Sequence, residues 1–451
     1  MAVIGAGPSG LAAAKCLTER GIPCVVHESH SELGGIWNRS NPRSSVYRNT
    51  HTITSREITA YSDFPMSSDL PVYPHNTEVL AYLEDYARAN DLIGLIRFNS
   101  EVTAVEPVDG GWQVTTADGS SEWHSDVVIA NGHNWSPSIP EVAGTFSGRI
   151  LHSRDYDSAE EFTDQRVLVV GAGNSGCDIA VELAQVSKDV SISMRRGYHF
   201  FPKFLLGKPA DQVGEASQSM PLPLWLVRLG YRAMLRLMVG PPSRYGLPEP
   251  DHKPLESPPI VNSLLPYYCS HGRITVRKNI VGFDGEKVLF ADDTSAEFDA
   301  VVFATGFTID IPFMDPADLD WTNGRPEFYL LAFSPTHDNL FISGMTDGTG
   351  GHFPTAEQQS QVIAAYIVAK HENPERIAAF DQVRRSGKTD ITGGIRFLKT
   401  QRSLTQFELI TFRRELSKHL DILEPDGLAT LPAAAVAETV PGSAPDLEPV
   451  A

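Results

Sequence analysis

The chain has 451 residues, of which 41% are hydrophobic and 21% are charged, proportions that are ordinary for a water-soluble globular protein. This length exceeds a single ordinary core and fits two or three domains. Acidic residues outnumber basic ones by 56 to 37, and the formal net charge of -19 argues against nucleic acid as a partner and against membrane contact.

The cysteine pattern indicates a reducing environment. Four cysteines occur, at Cys16, Cys24, Cys177 and Cys269, and none pairs with another at CxxC or CxxxxC spacing. The sequence therefore predicts no disulfide framework, and we expect no metal site. No signal peptide precedes the first motif, and no apolar run reaches the roughly 18 residues of a membrane span, so we expect a cytoplasmic protein.

A first dinucleotide-binding pattern, GAGPSG, occupies residues 5–10. Its glycines permit a tight turn, a close approach of backbone amides to a pyrophosphate, and packing of the following helix on the sheet. The next predicted strand, 24–28, ends in Glu28, where a carboxylate accepts hydrogen bonds from ribose hydroxyls. The glycine pair at 34–35 would let the backbone lie against a flavin covered by Trp37, or would form a simple turn beside a core tryptophan. The residues expected to bind FAD here are Gly5, Gly7, Pro8, Ser9, Gly10, Glu28, Gly35, Ile36 and Trp37.

Two later segments, 127–132 and 301–306, share the pattern of a buried strand that ends in a small-polar-glycine turn. The repetition predicts that the chain leaves the first domain after the first segment and re-enters it at the second, with Thr305 and Gly306 at the cofactor. A predicted helix, 356–368, follows a glycine pair, and its N-terminus would stabilise negative charge on a reduced flavin.

A second pattern, GAGNSG, occupies residues 171–176 between a predicted strand and a helical pattern. The partner strand, 190–194, ends in Arg195 and Arg196 rather than in an acid. Guanidinium groups suit a 2′-phosphate, which favours NADPH over NADH. The alternatives are that both arginines are solvated, or that they rank NADPH first without excluding NADH. The residues expected to bind NADP are Gly171, Gly173, Asn174, Ser175, Gly176, Arg195 and Arg196.

A third pattern, FxGxxxHxxxY, runs from Phe146 to Tyr156 and joins the two nucleotide motifs. With both motifs it resembles the flavin-containing monooxygenases, a family of class B flavoprotein monooxygenases, over roughly residues 1–425. Further segments similar to that family lie at 61–65, 173–180, 303–307 and 353–357. Related Baeyer–Villiger monooxygenases usually end the signature in tryptophan, so Tyr156 favours the first group.

The motifs and the resemblance together predict an α/β fold with two Rossmann-like dinucleotide-binding domains, the NADP domain being inserted in the FAD domain. Residues 1–160 and 300–426 would form the FAD-binding domain and 161–299 the NADP-binding domain. The resemblance implies that NADPH reduces the flavin, that O2 adds to give a flavin hydroperoxide, and that a soft nitrogen or sulfur nucleophile in a small-molecule substrate takes the oxygen. Baeyer–Villiger oxygenation of ketones and an uncoupled NADPH oxidase or redox sensor are the alternatives.

One position departs from the family. Members often carry an asparagine at the flavin and nicotinamide, eight residues before the position of Tyr61, but that position is Ile53 here. Ile53 is expected in the cofactor site, where it cannot hydrogen-bond. Either a neighbour substitutes, which makes His51 and Thr52 the candidate catalytic residues, or the oxygenated flavin is less protected. The sequence Arg-Arg-Gly-Tyr-His at 195–199 is similar to a bacterial subgroup that is regarded as relaxed in its use of NADPH and NADH.

A helical insertion is predicted at about 205–260. Within it, residues 224–239 place three arginines on one helical face, opposite leucine, tryptophan and methionine side chains. The pattern fits an amphipathic helix packed on the domain, a lid over the substrate entrance, or a helix that touches a membrane surface. Residues 427–451 are rich in alanine, proline and acids, so we expect a disordered tail. The sequence carries no signal for the oligomeric state.

Overall fold

The computed structural model describes residues 1–218, 222–348, 350–386 and 389–431. Within these ranges no helix combines the length and the apolar character needed to cross a membrane. The described residues contain four clusters of buried hydrophobic side chains. Two of the clusters lie on the two faces of one parallel sheet, and the other two lie on the faces of a second.

The helices fall between and after the strands, as in an α/β protein. The described α-helices are α1 Pro8–Glu19, α2 Arg56–Thr59, α3 Asn76–Ala89, α4 Asn174–Leu183, α5 Ala210–Gln218, α6 Leu224–Met238, α7 Leu264–Ser270, α8 His352–Glu372, α9 Pro374–Ser386 and α10 Leu409–Leu423. Short 3-10 helices cover Gly35–Trp37, Ile93–Leu95, Ala159–Phe162, Pro242–Tyr245 and Gln401–Thr405.

The strands are short and many. The first half of the chain contains β1 Ala2–Ile4, β2 Val25–His27, β3 Ile96–Arg97, β4 Val102–Val108, β5 Gly111–Thr116, β6 Ser121–His124, β7 Val127–Ile129, β8 Ser136–Pro137, β9 Ala143–Phe146, β10 Arg149–His152, β11 Arg166–Val170, β12 Asp189–Ser193, β13 Phe200–Phe201, β14 Phe204–Leu205 and β15 Lys208–Pro209. The second half contains β16 Ile260–Val261, β17 Ile274–Arg277, β18 Ile280–Gly285, β19 Lys287–Phe290, β20 Ser295–Glu297, β21 Ala300–Phe303, β22 Phe307–Thr308, β23 Trp321–Thr322, β24 Arg325–Pro326 and β25 Leu340–Ile342.

The first main sheet has the strand order β25-β7-β1-β2-β3, and all its pairs are parallel. Val3 of β1 lies opposite Val26 on one side and Val128 on the other. These three side chains join the hydrophobic cluster that contains the buried faces of α1 and α8, whereas Ile4 and Ile129 join the cluster on the opposite face. Burial of both faces explains why these strands are continuous apolar runs rather than alternating patterns.

The second main sheet has the order β10-β21-β11-β12-β17 and is also parallel. Val169 of β11 lies opposite Ile192 and Val302. All three side chains belong to the cluster that includes the buried face of α4, whereas Leu168 and Val301 belong to the cluster on the other face. The remaining strands form smaller sheets around these two.

The strand β21 differs from the prediction. The sequence predicts that 301–306 returns to the first domain, but β21 lies between β10 and β11 in the second sheet, and β25 is the edge strand of the first sheet instead. Both strands are short apolar runs, so hydrophobicity alone does not decide which sheet a buried strand joins. The chain thus enters the second sheet at β10, before residue 160, and leaves it after β21.

The insertion contains the predicted helix, as α6, but its packing differs from a simple amphipathic arrangement. Only Leu235 of α6 is buried, whereas the side chain of Trp225 is 67% exposed and that of Leu237 is 91% exposed. One arginine takes part in the packing instead, because Arg228 forms a half-buried ion pair with Glu256 at 3.1 Å. The apolar side of α6 therefore remains largely open to solvent.

The end of the described chain is tied to the first domain. Residues 427–431 belong to the predicted disordered tail, yet Leu431 is buried, and its backbone N–H donates a hydrogen bond of 2.7 Å to the carbonyl oxygen of Arg20. Leu431 thus packs in the core of the first domain, whereas Gly427, Leu428 and Thr430 are exposed and lie in no helix or strand, so the disorder of the tail stays a prediction. The rest of the predicted tail, 432–451, lies outside the described residues.

Candidate active site

A cavity of about 1190 Å³ lies at the carboxyl ends of strands from both main sheets. Ligands in open α/β sheets bind at this edge. Its wall includes Ile4 and Ala130 of the first sheet region and Val170, Ser193 and Ala304 of the second. All predicted site residues except Gly10 line it, namely Gly5, Gly7, Pro8, Ser9, Glu28, Gly35, Ile36, Trp37, His51, Thr52, Ile53, Gly171, Gly173, Asn174, Ser175, Gly176, Arg195, Arg196, Thr305 and Gly306.

The first glycine loop has the geometry that a pyrophosphate requires. Gly5 adopts a φ of 106°, and a Cβ at Gly10 would overlap the carbonyl oxygen of Gly5, so Gly10 serves the close packing of α1 on the sheet. The N-cap of α1 is Gly7, which provides no side-chain cap. The N–H groups of the first turn and the positive end of the helix therefore suit an anionic ligand. Gly35, at φ 57°, packs directly against Gly7.

Glu28 is fixed in position by backbone N–H groups of the first glycine loop and of the turn after β2. The carboxylate is buried, and its oxygens accept hydrogen bonds from the N–H groups of Ala6, at 2.7 Å, and His30, at 2.8 Å. Each carboxylate oxygen has a second lone pair, so these bonds leave acceptor capacity for a hydroxyl group in the cavity. The geometry fits the ribose role predicted for this acid.

The second glycine loop repeats the first. Gly171 has a φ of 104°, a Cβ at Gly176 would overlap the carbonyl oxygen of Gly171, and the N-cap of α4 is Gly173, again without a side-chain cap. A Cβ at Gly173 would meet nothing within 4 Å, so this glycine faces open space in the cavity. Asn174 has a further task, since its Oδ1 accepts a hydrogen bond of 2.9 Å from the backbone N–H of Val261 in β16.

The stretch that replaces the family asparagine lies on the cavity wall. Ile53 is 38% exposed there. Thr52 is buried, its backbone N–H donates to the carbonyl oxygen of Pro74, and its Oγ1 has no hydrogen-bond partner among the described residues. His51 is exposed, with its Nδ1 2.9 Å from the carbonyl oxygen of Asn49. His51 and Thr52 thus directly precede the apolar position, and the Oγ1 of Thr52 is the polar atom there that has no hydrogen-bond partner among the described residues.

Asn49 does not take the place of the missing asparagine. Its side-chain amide donates to Glu182 of α4, and the second oxygen of Glu182 accepts a hydrogen bond of 3.0 Å from the hydroxyl of Tyr156. A second residue of the signature, His152, places its Nε2 3.0 Å from the carbonyl oxygen of Gly306. Through His152 the signature segment contacts the cavity turn at 304–306, and through Tyr156 it contacts the helix α4.

The sequence motifs did not indicate an acid–base group on the same wall. The Nε2 of His133 lies 3.5 Å from a carboxylate oxygen of Asp347, which also accepts a hydrogen bond of 2.9 Å from Thr405. His352, the first residue of α8, has its Nε2 3.4 Å from Ser9 Oγ, and burial lowers the pKa of His352 to about 4. Asp347 and His352 lie five residues apart, but Ser9, His133 and Thr405 are each distant from them in the sequence, so no spacing rule connects the whole group. The sequence signals were that His133 follows a predicted strand and that Asp347 and His352 precede the helix whose N-terminus is predicted at the flavin.

Comparison with known proteins agrees with this architecture. Residues 1–430 match a family model described as flavin-binding monooxygenase-like. An N-oxide-forming dimethylaniline monooxygenase 2 of Pan troglodytes is 32% identical over 413 residues, which are 86% of this chain and 77% of that protein. The structure of S-allyl-L-cysteine S-oxygenase from Allium sativum has a TM-score of 0.63 at 22% identity and covers 97% of this chain and 90% of its own. An open structure of cyclohexanone monooxygenase has a TM-score of 0.66 at 19% identity, covering 92% and 96%.

The fold is thus the α/β fold of flavin monooxygenases. The chain belongs to the flavin-binding monooxygenase-like family, which confirms the resemblance stated from the sequence. It is an NADPH-dependent flavin-containing monooxygenase with FAD and NADP as its cofactors.

Proposed function

We propose that FAD and NADPH share the one cavity, with FAD along the first glycine loop and Glu28, and NADPH along the second loop with Arg195 and Arg196. The observation that carries this arrangement is that both glycine loops and both uncapped helix N-termini line the same cavity. The cofactor chemistry that this site would support is hydride transfer from NADPH to FAD and use of O2, with one oxygen atom going to the substrate and the other to water. The chain supplies binding, orientation and exclusion of water.

The chain's own residues divide these tasks. The N-termini of α1 and α4 would hold the two pyrophosphates, Glu28 the adenosine ribose of FAD, and the Gly35–Trp37 turn the flavin face. The N-terminus of α8, whose N-cap Gly351 also has no side-chain cap, would stabilise negative charge on the flavin. His51 and Thr52 would provide polar contacts beside Ile53.

The strand pairing supports revised domain limits for the two Rossmann-like units. We place the NADP-binding domain at about 149–303, because β10 and β21 pair in the second sheet, and the FAD-binding domain at about 1–148 and 304–431. The insertion at about 205–260 stays in the NADP-binding domain. The signature segment contains β10 and would carry the chain from the FAD-binding domain into the NADP-binding domain.

A soft nitrogen or sulfur nucleophile is the proposed substrate. Two similar proteins carry names that describe N-oxide formation and S-oxygenation. The signature ends in Tyr156, whose hydroxyl is engaged by Glu182, rather than in the tryptophan usual for Baeyer–Villiger enzymes. The reactants are then a small molecule and O2, and the free cysteines favour a cytoplasmic setting.

The test measures how much NADPH the FAD-loaded enzyme consumes and how much oxygenated product and hydrogen peroxide it forms. The substrates are methyl phenyl sulfide, N,N-dimethylaniline and cyclohexanone, each tested separately. We expect about one sulfoxide or N-oxide per NADPH consumed, with little hydrogen peroxide. A lactone from cyclohexanone, without sulfoxide or N-oxide, would replace the proposal with Baeyer–Villiger oxygenation.

A second candidate, an uncoupled NADPH oxidase, is favoured by one observation. Ile53 presents an apolar side chain to the cavity at the position where the family often has an asparagine. An isoleucine cannot form the hydrogen bond that an asparagine would offer to the flavin, so the flavin site would be less protected from water. Hydrogen peroxide released in a ratio of about one per NADPH, with or without a sulfide or amine present, would establish this function instead.

A further inference from the structure

The turn after β12 is covered by a loop of the insertion. Gly197 pairs with Pro250 in an isolated parallel bridge, and a Cβ at Gly197 would overlap backbone atoms of Glu249. The Nε2 of His199 lies 3.0 Å from the carbonyl oxygen of His252. The loop 248–252 is therefore fixed against the turn that carries the arginine pair, and its side chains have defined positions relative to the arginines.

One side chain of this loop is an acid that faces Arg196. The Oδ2 of Asp251 lies 3.9 Å from the Nε of Arg196, within ion-pair range but beyond a hydrogen bond. The Nε of Arg196 is buried and has no hydrogen-bond partner among the described residues. The other oxygen of Asp251 lies 3.0 Å from the Nδ1 of His252. This hydrogen bond, with the charge of Arg196, lowers the pKa of Asp251, so the carboxylate is ionised at neutral pH.

We propose that Asp251 sets the nicotinamide cofactor specificity by holding a negative charge beside Arg196, which weakens the preference for a 2′-phosphate and allows NADH to compete with NADPH. The inference rests on the proposed NADPH site at Arg195 and Arg196. A 2′-phosphate that approaches Arg196 meets the carboxylate of Asp251, and like charges at such separation oppose each other. A free 2′-hydroxyl carries no charge and is not repelled, so the acid reduces the difference in binding affinity between NADPH and NADH.

The loop contains a matched acid that faces elsewhere. Glu249 accepts hydrogen bonds on one oxygen from the N–H, at 3.1 Å, and the hydroxyl, at 2.5 Å, of Ser243. No ion pair joins Glu249 to Arg196 within the described chain. Glu249→Gln therefore removes the same unit of charge from the same loop without removing the contact to Arg196.

The experiment is calorimetric titration of the FAD-loaded enzyme with adenosine 2′,5′-bisphosphate and with ADP, which measures binding independently of turnover. Asp251→Asn is expected to bind the bisphosphate about fivefold more tightly and ADP within about twofold of the unaltered enzyme. The gain should shrink at high salt, since Asp251 is half exposed and screened. Asp251→Ser should reproduce the gain, and Glu249→Gln should not. Unfolding temperatures show that each variant is folded.

The outcomes separate this inference from the function on which it rests. Unchanged affinities in both Asp251 variants, or an equal gain in Glu249→Gln, would overturn the specificity role and show only a general effect of net charge. Arg196→Gln addresses the NADPH site itself, because it should weaken the bisphosphate at least tenfold and leave ADP nearly unchanged. If Arg196→Gln binds the bisphosphate as the unaltered enzyme does, the proposed cofactor site fails, and the role of Asp251 falls with it.

Discussion

At the scale of single residues, a buried histidine pair next to the first glycine loop is the clearest acid-sensitive feature. His27 and His124 are almost fully buried, and their ring centroids lie 6.0 Å apart. The Nδ1 of His27 lies 2.9 Å from Ser100 Oγ, whereas both ring nitrogens of His124 have no hydrogen-bond partner in the described ranges. Burial lowers the pKa of His27 to about 4 and that of His124 to about 3.

This pair predicts a loss of stability in mild acid. Because the folded pKa values lie below the unfolded value of about 6.5, the histidines contribute stability that is complete above pH 6.5 and is lost as the pH falls from there toward 4. We expect the free energy of unfolding to fall by up to about 2 kcal/mol per histidine between pH 7 and 5. Urea unfolding at both pH values measures it.

The control for the histidine pair is an exposed histidine. His124→Gln should remove part of the acid dependence, and His371→Gln, at the exposed end of α8, should leave it unchanged. A pH dependence that is the same in both variants and in the unaltered enzyme would show that other groups cause it.

At the scale of elements, two glycines of the second glycine loop have different tasks. Gly176 serves the packing of α4, and Gly173 leaves space in the cavity. A Cβ at Gly176 would overlap the backbone of Gly171, whereas a Cβ at Gly173 would meet nothing within 4 Å. Gly176→Ala should force α4 away from β11 and lower the free energy of unfolding by about 1–3 kcal/mol. Gly173→Ala should leave the unfolding temperature nearly unchanged but weaken NADP binding, since the Cβ points into ligand space. Equal unfolding temperatures for both variants would refute this division.

The sequence predicted these elements well where local chemistry decides them. The glycine loops, the following helices and the arginine pair are defined by neighbours in the chain, and the structure has them in one cavity. The predicted sheet of β21 was wrong, because every buried parallel strand has the same apolar sequence pattern, whichever sheet it joins. The group His133, Asp347 and His352 was missed because only the tertiary fold brings His133 next to the other two residues.

At the scale of the whole molecule, the two ends of the described chain are joined by a buried ion pair. Arg20, at the end of α1, donates to both carboxylate oxygens of Glu424, at 2.7 and 2.8 Å, and both side chains are at most 5% exposed. Removing the charge from one partner leaves the other buried and unpaired. Glu424→Gln should therefore lower the free energy of unfolding by about 3 kcal/mol, measured by urea unfolding.

A neighbouring acid provides the comparison for Glu424. Asp426 lies 3.5 Å from Arg376, but its side chain is 91% exposed. Exposed pairs contribute little, so Asp426→Asn should change stability by less than about 0.5 kcal/mol. If both variants lowered the free energy of unfolding by similar amounts, burial would not explain the contribution of the Arg20–Glu424 ion pair to stability.

The most direct test of the two-cofactor account is anaerobic reduction of the purified, FAD-loaded enzyme by NADPH, followed by rapid mixing with oxygenated buffer while the flavin absorbance is recorded. The account predicts that NADPH reduces the flavin and that the return to the oxidised spectrum is slow, and slower still when NADP is present, because the shared cavity excludes water. Immediate return to the oxidised spectrum, with about one hydrogen peroxide per NADPH, would identify an oxidase. Failure of NADPH to reduce the flavin would contradict the placement of both nucleotides in one cavity.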